Sequence, residues 1–330
     1  MRVEINQAKQ LLLDGKLVAF PTETVYGLGA LAIDQRAVEA VYETKHRPHD
    51  NPLICHFAWP SQIKQYTTNI PAYWDLLVSH FSPGPVSYLL LCKDESLHHA
   101  TRWLAKVICR IPNHPLTLQL LEDLDQPVVW PSTNPSWQPS ATSASMVEEY
   151  FGDSVPVLDG WSSWIGLEST IIDCTDEDRV TILRSWQIGI PDIKEVLEDG
   201  GYHHVIVDET YSDWSGWQIS IPWTKYRHYS PQTMIFKIAQ RDPIHDRGDI
   251  AIIGPTELLE RIQTTEITHR IDLWSVYSPA IIAHNLYHKL HELDGLWVRH
   301  AYLLMWKLGG LGIEKAITDR LGKIGEWKEE

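Results

Sequence analysis

Apolar positions in the first two hundred residues switch repeatedly between helical and strand-like spacing. Ile5, Ala8, Leu11 and Leu12 recur at helical spacing, with Gly15 where a helix C-terminus calls for glycine, and Leu17 to Phe20 follows as a short buried strand. Val38, Val41 and Tyr42 form the stripe of a second helix ending near Lys45, and Leu53 to Phe57 reads as a strand. Val86 to Cys92, Val107 to Ile111, Val128 to Val129, Thr170 to Cys174 and Ile182 to Leu183 are further strands, with helices near 72–80, 115–124, 143–150 and 190–199. This order predicts an α/β sheet with helices packed on it.

The pattern breaks over residues 201–231, a stretch rich in Tyr, Ser, His and Trp with no sustained period, which reads as a connection between domains. From Thr233 the alternation restarts. Strands at Met234–Ile238, Ile250–Ile253, Ile271–Leu273 and near 296–304 interleave with a helix from Pro255, another over 279–292 and a last one over 313–323. A chain of 330 residues suits two domains, here 1–200 and 232–330 joined by the 201–231 linker.

Charge narrows the function. With 28 Lys and Arg against 43 Asp and Glu the net charge is −15, so the surface as a whole repels polyanions and no stable nucleic-acid complex is expected. The apolar runs are far shorter than a membrane span, and the acidic N-terminus lacks the plan of a signal peptide, so a cytoplasmic protein is expected. Cys55, Cys92, Cys109 and Cys174 lie too far apart for a zinc motif and read as small buried residues of strands; no metal site is expected from them.

Three segments concentrate residues that a packed core would not require. FPTETVYGLGA (Phe20–Ala30) leaves a buried strand as a polar, glycine-bearing loop, the place where α/β folds bind ligands, and KHRPHDNPLICH (Lys45–His56) follows the next helix. Lys45 and Arg47 at a helix C-terminus are favourable against the helix dipole alone, but with Pro48, Asn51, Pro52 and His56 beside them an anion site is the better reading. PSTNPSWQPSATSA (Pro131–Ala144) is either a loop capped by Thr142 or Ser143 or a phosphate or adenylate cradle at a helix N-terminus. The third segment is DGWSSWIGLESTIID (Asp159–Asp173), followed after one strand by ILRSW (Ile182–Trp186).

Taken in order, FPTETVYGLGA, K-x-RP-x-DNPL-x-x-H, PGPVSYLL, CRIPNHP, PSTNPS-x-QPS-x-TS, G-x-EST-x-x-D and ILR resemble the YrdC family. KYRHYSP and GLGIEKAITDRL extend the resemblance to its long, two-domain threonylcarbamoyl-AMP synthase branch, over residues from about 3 to 325. The resemblance implies a twisted mixed sheet with helices around a concave cavity, a smaller Rossmann-like C-terminal α/β domain, and a linker folding over the cavity. It also implies synthesis of L-threonylcarbamoyladenylate and pyrophosphate from L-threonine, bicarbonate and ATP, with Mg²⁺ carried by the ATP. A partner complex would then pass the threonylcarbamoyl group to tRNA.

On the same basis Lys45 and Arg47 are the expected catalytic cations, neutralising phosphate charge. Arg47, Asn51, Ser132, Asn134, Ser140, Arg184 and, from the linker, Tyr226 are expected at ATP. Thr24, His56, Arg110 and Ser169 are expected at threonine, with a bidentate fork from Arg110 suited to its carboxylate. No general base is assigned, since positioning and charge stabilisation can drive nucleotidyl transfer. Two rival readings are a carbamoyltransferase-type relative and a non-catalytic RNA-binding or regulatory protein using the same concave surface.

One count stands apart: 15 Trp against 5 Phe, with 19 Gly. Trp137, Trp161, Trp186, Trp223 and Trp274 fall where the family pattern has glycine. They reflect either a reassigned codon or a remodelled site in which the rings pack the linker or stack on adenine.

Overall fold

The computed structural model describes residues 1–209, 231–239, 248–262, 267–309 and 312–327. The helical stripes form where the apolar spacing places them, at Ile5–Leu13, Gln35–Lys45, Tyr73–Phe81, Pro115–Leu124, Ala144–Phe151 and Ile190–Asp199. Local chemistry sets their ends: Asp34 caps the second by accepting from the backbone N–H groups of Arg36 and Ala37, and Ser143 caps Ala144–Phe151 through Met146. Each helix lays its apolar stripe on the sheet; Val38, Val41 and Tyr42 are at most 1% exposed, each worth about 1.5–3 kcal/mol of burial.

The N-terminal domain is built on a 12-stranded mixed sheet. Its centre runs from Ile54–His56 through Lys106–Arg110, Val86–Cys92 and Thr170–Asp176 to Arg179–Arg184. Period-two alternation divides the two faces: Cys55, Cys109, Tyr88 and Ile172 enter the helix-covered core, whereas Ile54, Ile108, Leu89 and Ile171 form a small cluster of their own. Cys55, Cys109 and Cys174 are buried and Cys92 partly so, all four free and on strands.

Two sequence expectations change. Gly27–Leu31, inside the segment read as a loop, is a strand pairing antiparallel with Val18–Phe20 and Val128–Val129. Its glycines make room: a Cβ at Gly29 would lie 2.2 Å from the Phe20 ring. Ile206–Glu209, placed in the linker, pairs parallel with Arg179–Arg184 and closes that edge of the first sheet. Most of the remaining linker, including Tyr226 and Trp223, lies outside the described residues.

The C-terminal domain is a five-stranded parallel sheet, ordered His269–Asp272, Ile250–Gly254, His300–Leu304, Ile235–Ile238, Glu326–Trp327, with helices Pro279–Asp294 and Gly312–Lys323. The two domains share apolar packing, because Val25, Leu167 and Trp186 join the C-terminal core. Gly166, at φ +75°, permits this approach: a Cβ there would lie 2.6 Å from the His284 Cα.

Candidate active site

One rung of the sheet carries the chemistry. His56 pairs with Arg110, Arg110 with Ser87, Ser87 with Ile171, and Ile171 with Arg184. Cross-strand partners project to the same face, so residues from five separate segments of sequence stand in one row. Thr24 and Ser169, from the loops beside it, complete a cavity lined also by Val25, Ile54, Trp130, Pro131, Ser132 and Glu168.

Arg110 is held from three sides. Its Nη2 donates to Glu23 Oε1 at 2.7 Å and to Thr24 Oγ1 at 3.0 Å, and its Nε donates to the Gly84 carbonyl at 3.2 Å. Arg184 donates from Nε to the Ser169 carbonyl at 2.9 Å and from Nη2 to Ser169 Oγ at 3.1 Å, while Ser169 Oγ and Ser87 Oγ meet at 2.7 Å. His56 is 1% exposed, and neither ring nitrogen has a hydrogen-bond partner among the described residues. Burial, and after it the nearby Arg110 guanidinium, hold His56 well below the ordinary imidazole range, so it is neutral at pH 7.

The structure therefore gathers all four residues expected at threonine, Thr24, His56, Arg110 and Ser169, in one cavity, with Ser132 and Arg184 from the nucleotide set. Lys45, Arg47, Asn51, Asn134 and Ser140 are buried but do not line it. Lys45 Nζ donates to the carbonyls of Ser132 and Asn134, tying the PSTN loop to the end of its helix. Complete burial, with Arg47 close by, pushes the Lys45 ammonium well below its usual pKa. Arg47 donates to the carbonyls of Asn51 and Pro52 at 3.2 and 3.0 Å. Both cations expected to meet phosphate are thus bound to backbone oxygens that shape the neighbouring loops.

A network missed in the sequence reaches this site from the second domain. Glu168 accepts from Ser140 Oγ at 3.1 Å, from Tyr287 Oη at 3.0 Å and from Arg320 Nη2 at 3.3 Å, and Arg320 Nε donates to Tyr287 Oη at 3.1 Å. Glu168 lies inside the G-x-EST run, but its partners are 119 and 152 residues away, and no local spacing could announce them. Trp186 belongs to this junction: it is 1% exposed, and the Arg320 guanidinium lies 3.0 Å from its ring centroid. Among the described residues no three His, Cys, Asp or Glu side chains converge to hold a metal, and no helix is long and apolar enough to cross a membrane.

Fold and site define a two-domain α/β protein whose large mixed sheet sets strand-end arginines and hydroxyls along one cavity, with a second parallel-sheet domain buttressing it. Comparison with known proteins gives the family. A family model described as telomere recombination, Sua5–YciO–YrdC, matches residues 10–185, and one described as the threonylcarbamoyl-AMP synthase C-terminal domain matches residues 188–324; the chain belongs to the Sua5/YrdC family. It is 38% identical over 237 residues to a threonylcarbamoyl-AMP synthase of Pyrococcus abyssi, covering 71% of this chain and 68% of that one. A threonylcarbamoyl-AMP synthase of Bacillus subtilis is 41% identical over 230 residues, 69% of this chain and 64% of that one. The crystal structure of P. abyssi Sua5 complexed with L-threonine superposes with a TM-score of 0.79 at 29% identity, over 99% of this chain and 98% of that one.

Proposed function

We propose that this protein is a threonylcarbamoyl-AMP synthase, making L-threonylcarbamoyladenylate and pyrophosphate from L-threonine, bicarbonate and ATP. The observation that carries the reading is the single rung that brings His56, Arg110 and Arg184 beside Thr24 and Ser169, in a chain that matches the threonine-bound Sua5 over almost its whole length.

Arg110, pinned by Glu23 and Thr24, takes the threonine carboxylate, and the hydroxyls of Thr24 and Ser169 position the amino acid. The threonine nitrogen bonds to the bicarbonate carbon as the bond to the bicarbonate hydroxyl breaks, that hydroxyl leaving as water with the nitrogen's proton, to give a carbamate. A carbamate oxygen then bonds to the α-phosphorus as the bond to pyrophosphate breaks. Arg184 stands on the same rung to offset the developing charge, a role that a Mg²⁺ carried by the nucleotide's own phosphates would share. Neutral His56 is a hydrogen-bonding wall of the pocket rather than a cation. Lys45 and Arg47 serve the nucleotide through the Ser132–Asn134 and Asn51–Pro52 backbone they hold. The product is an activated anhydride, passed to a tRNA-modifying complex in the cytoplasm.

Mass detection of threonylcarbamoyladenylate from purified protein, ATP, threonine and bicarbonate tests the reading. Product that requires all three substrates is expected. A carbamoyl-phosphate-dependent product, or none with competent protein, would replace it with one of the rival activities.

A further inference from the structure

Eight non-glycine residues among those described have positive φ, and four of them are tryptophan: Trp103 (66°), Trp137 (82°), Trp274 (89°) and Trp297 (54°). In this region Cβ crowds the following carbonyl, which glycine avoids and a bulky side chain does not. Hydrogen bonds around three of them, Trp103, Trp137 and Trp274, describe a backbone that favours glycine. Gln138 N donates to Pro135 O at 3.2 Å, putting Trp137 third in a turn of the type II kind, whose third residue is normally glycine. Leu104 N donates to Thr101 O at 3.2 Å across Arg102 (φ 54°) and Trp103, both positive as in a type I′ turn. Trp274 is held at φ 89° by its neighbours, its N–H donating to Asp272 Oδ1 at 2.8 Å and its carbonyl accepting from Thr256 N at 3.2 Å.

Burial gives these rings little reason to be there: Trp103, Trp137, Trp274 and Trp297 are 69%, 41%, 52% and 92% exposed. Trp186, by contrast, is a packed core residue with no positive φ, and Trp161, though exposed, has none either.

Trp130 is buried, packs edge-on to Phe20 and has no positive φ, so it enters on a different observation, its place in the cavity wall. The cavity between Arg110, Ser169 and Arg184 is narrow: the centre of a water molecule can reach only about 30 Å³ of it. The Trp130 ring forms one wall: it lies flat against His56, centroids 3.2 Å apart and planes 7° apart, and a Cβ on Gly27 would come within 2.5 Å of it.

We propose that positions 103, 130, 137, 274 and 297 are glycine in the protein as its own cell makes it, the tryptophans being UGA codons read as tryptophan. UGA differs from the tryptophan codon UGG in its third base and from the glycine codon GGA in its first. A glycine tRNA with one altered anticodon base would therefore insert glycine at every UGA. At position 130 the inference rests on the cavity being the threonine site; at the four turns it rests on the backbone alone. The chain as made would then have relaxed turns and a substrate cavity open by the volume of an indole.

The gene and the protein test this together. UGA at the five positions, with UGG at the buried core residue Trp74, is expected; UGG at any of 103, 137, 274 or 297 overturns the proposal. Peptide masses of the protein from its own cells should show glycine there, and tryptophan would overturn it. A chain carrying Trp103→Gly, Trp137→Gly, Trp274→Gly and Trp297→Gly should melt higher than the chain as printed, by on the order of 10 °C; an equal or lower melting point counts against it. Calorimetric titration with L-threonine should show binding to the Trp130→Gly chain at least tenfold tighter than to the chain with tryptophan at position 130. Equal binding by both removes position 130, whereas binding by neither refutes the threonine site and leaves the codons to decide the turns.

Discussion

Arg320, on the last helix of the C-terminal domain, donates to Glu168 in the wall of the cavity across 3.3 Å, although 152 residues separate them in sequence. The pair is buried, 1% and 6% exposed at the side chains, and Glu168 passes the contact to Ser140 in the N-terminal domain. The second domain therefore does more than cover apolar surface; it supplies the cation for a carboxylate in the wall of the site.

Removing that cation leaves a buried carboxylate short of its partner. Arg320→Met should cost about 3 kcal/mol of stability, whereas Tyr287→Phe, losing one neutral donor, should cost about 1 kcal/mol. Urea unfolding of the full chain measures both. Equal small losses would mean that the charge is satisfied elsewhere.

Arg110→Lys should raise the KM for threonine tenfold or more and that for ATP little. Lysine offers a point charge where the guanidinium meets Glu23 and Thr24 at once and forks onto a carboxylate. Steady-state kinetics with each substrate varied in turn decides it. An equal effect on both would place Arg110 at the nucleotide.

Lys45→Met should lose stability as well as activity. Its ammonium serves the buried carbonyls of Ser132 and Asn134, and each acceptor left unsatisfied costs about 1–3 kcal/mol. A thermal melt is the discriminating measurement. An unchanged melting point with lost activity would return Lys45 to direct phosphate contact.

Acid should destabilise the fold through His56. Burial and Arg110 lower its pKa in the folded chain, so between the folded value and the unfolded value near 6.5 the unfolded chain binds the extra proton. Stability is then complete above about pH 6.5 and falls as the pH drops, with a slope approaching 1.4 kcal/mol per pH unit for this one proton, about the energy of one pKa unit. His114, also lowered by burial, adds to the same window. His56→Gln should flatten the dependence of the urea midpoint between pH 7 and pH 5; an unchanged slope would assign it to other groups.

Local patterning was enough for the longer helices and most strands, though not for the short helices Pro60–Tyr66 and His98–Thr101. The stripe at Val38, Val41 and Tyr42 and the apolar run Val86–Cys92 act over a few residues, so spacing alone placed them, and the cap of Ala144–Phe151 was narrowed to Thr142 or Ser143. The motif residues Thr24, His56, Arg110, Ser169 and Arg184 were named through the resemblance of the short motifs that hold them to the family's, not through any local period. Gly27–Leu31 was not, because glycine-rich sequence has little strand preference of its own; pairing on both edges makes it a strand. Nor were the roles of Lys45 and Glu168, which depend on backbone carbonyls and side chains brought up from distant segments. Strand register lies equally beyond local pattern. A shift of one residue would turn His56 or Arg110 to the helix-covered face, and only the packed sheet selects the alignment that sets His56, Arg110, Ser87 and Arg184 in one row.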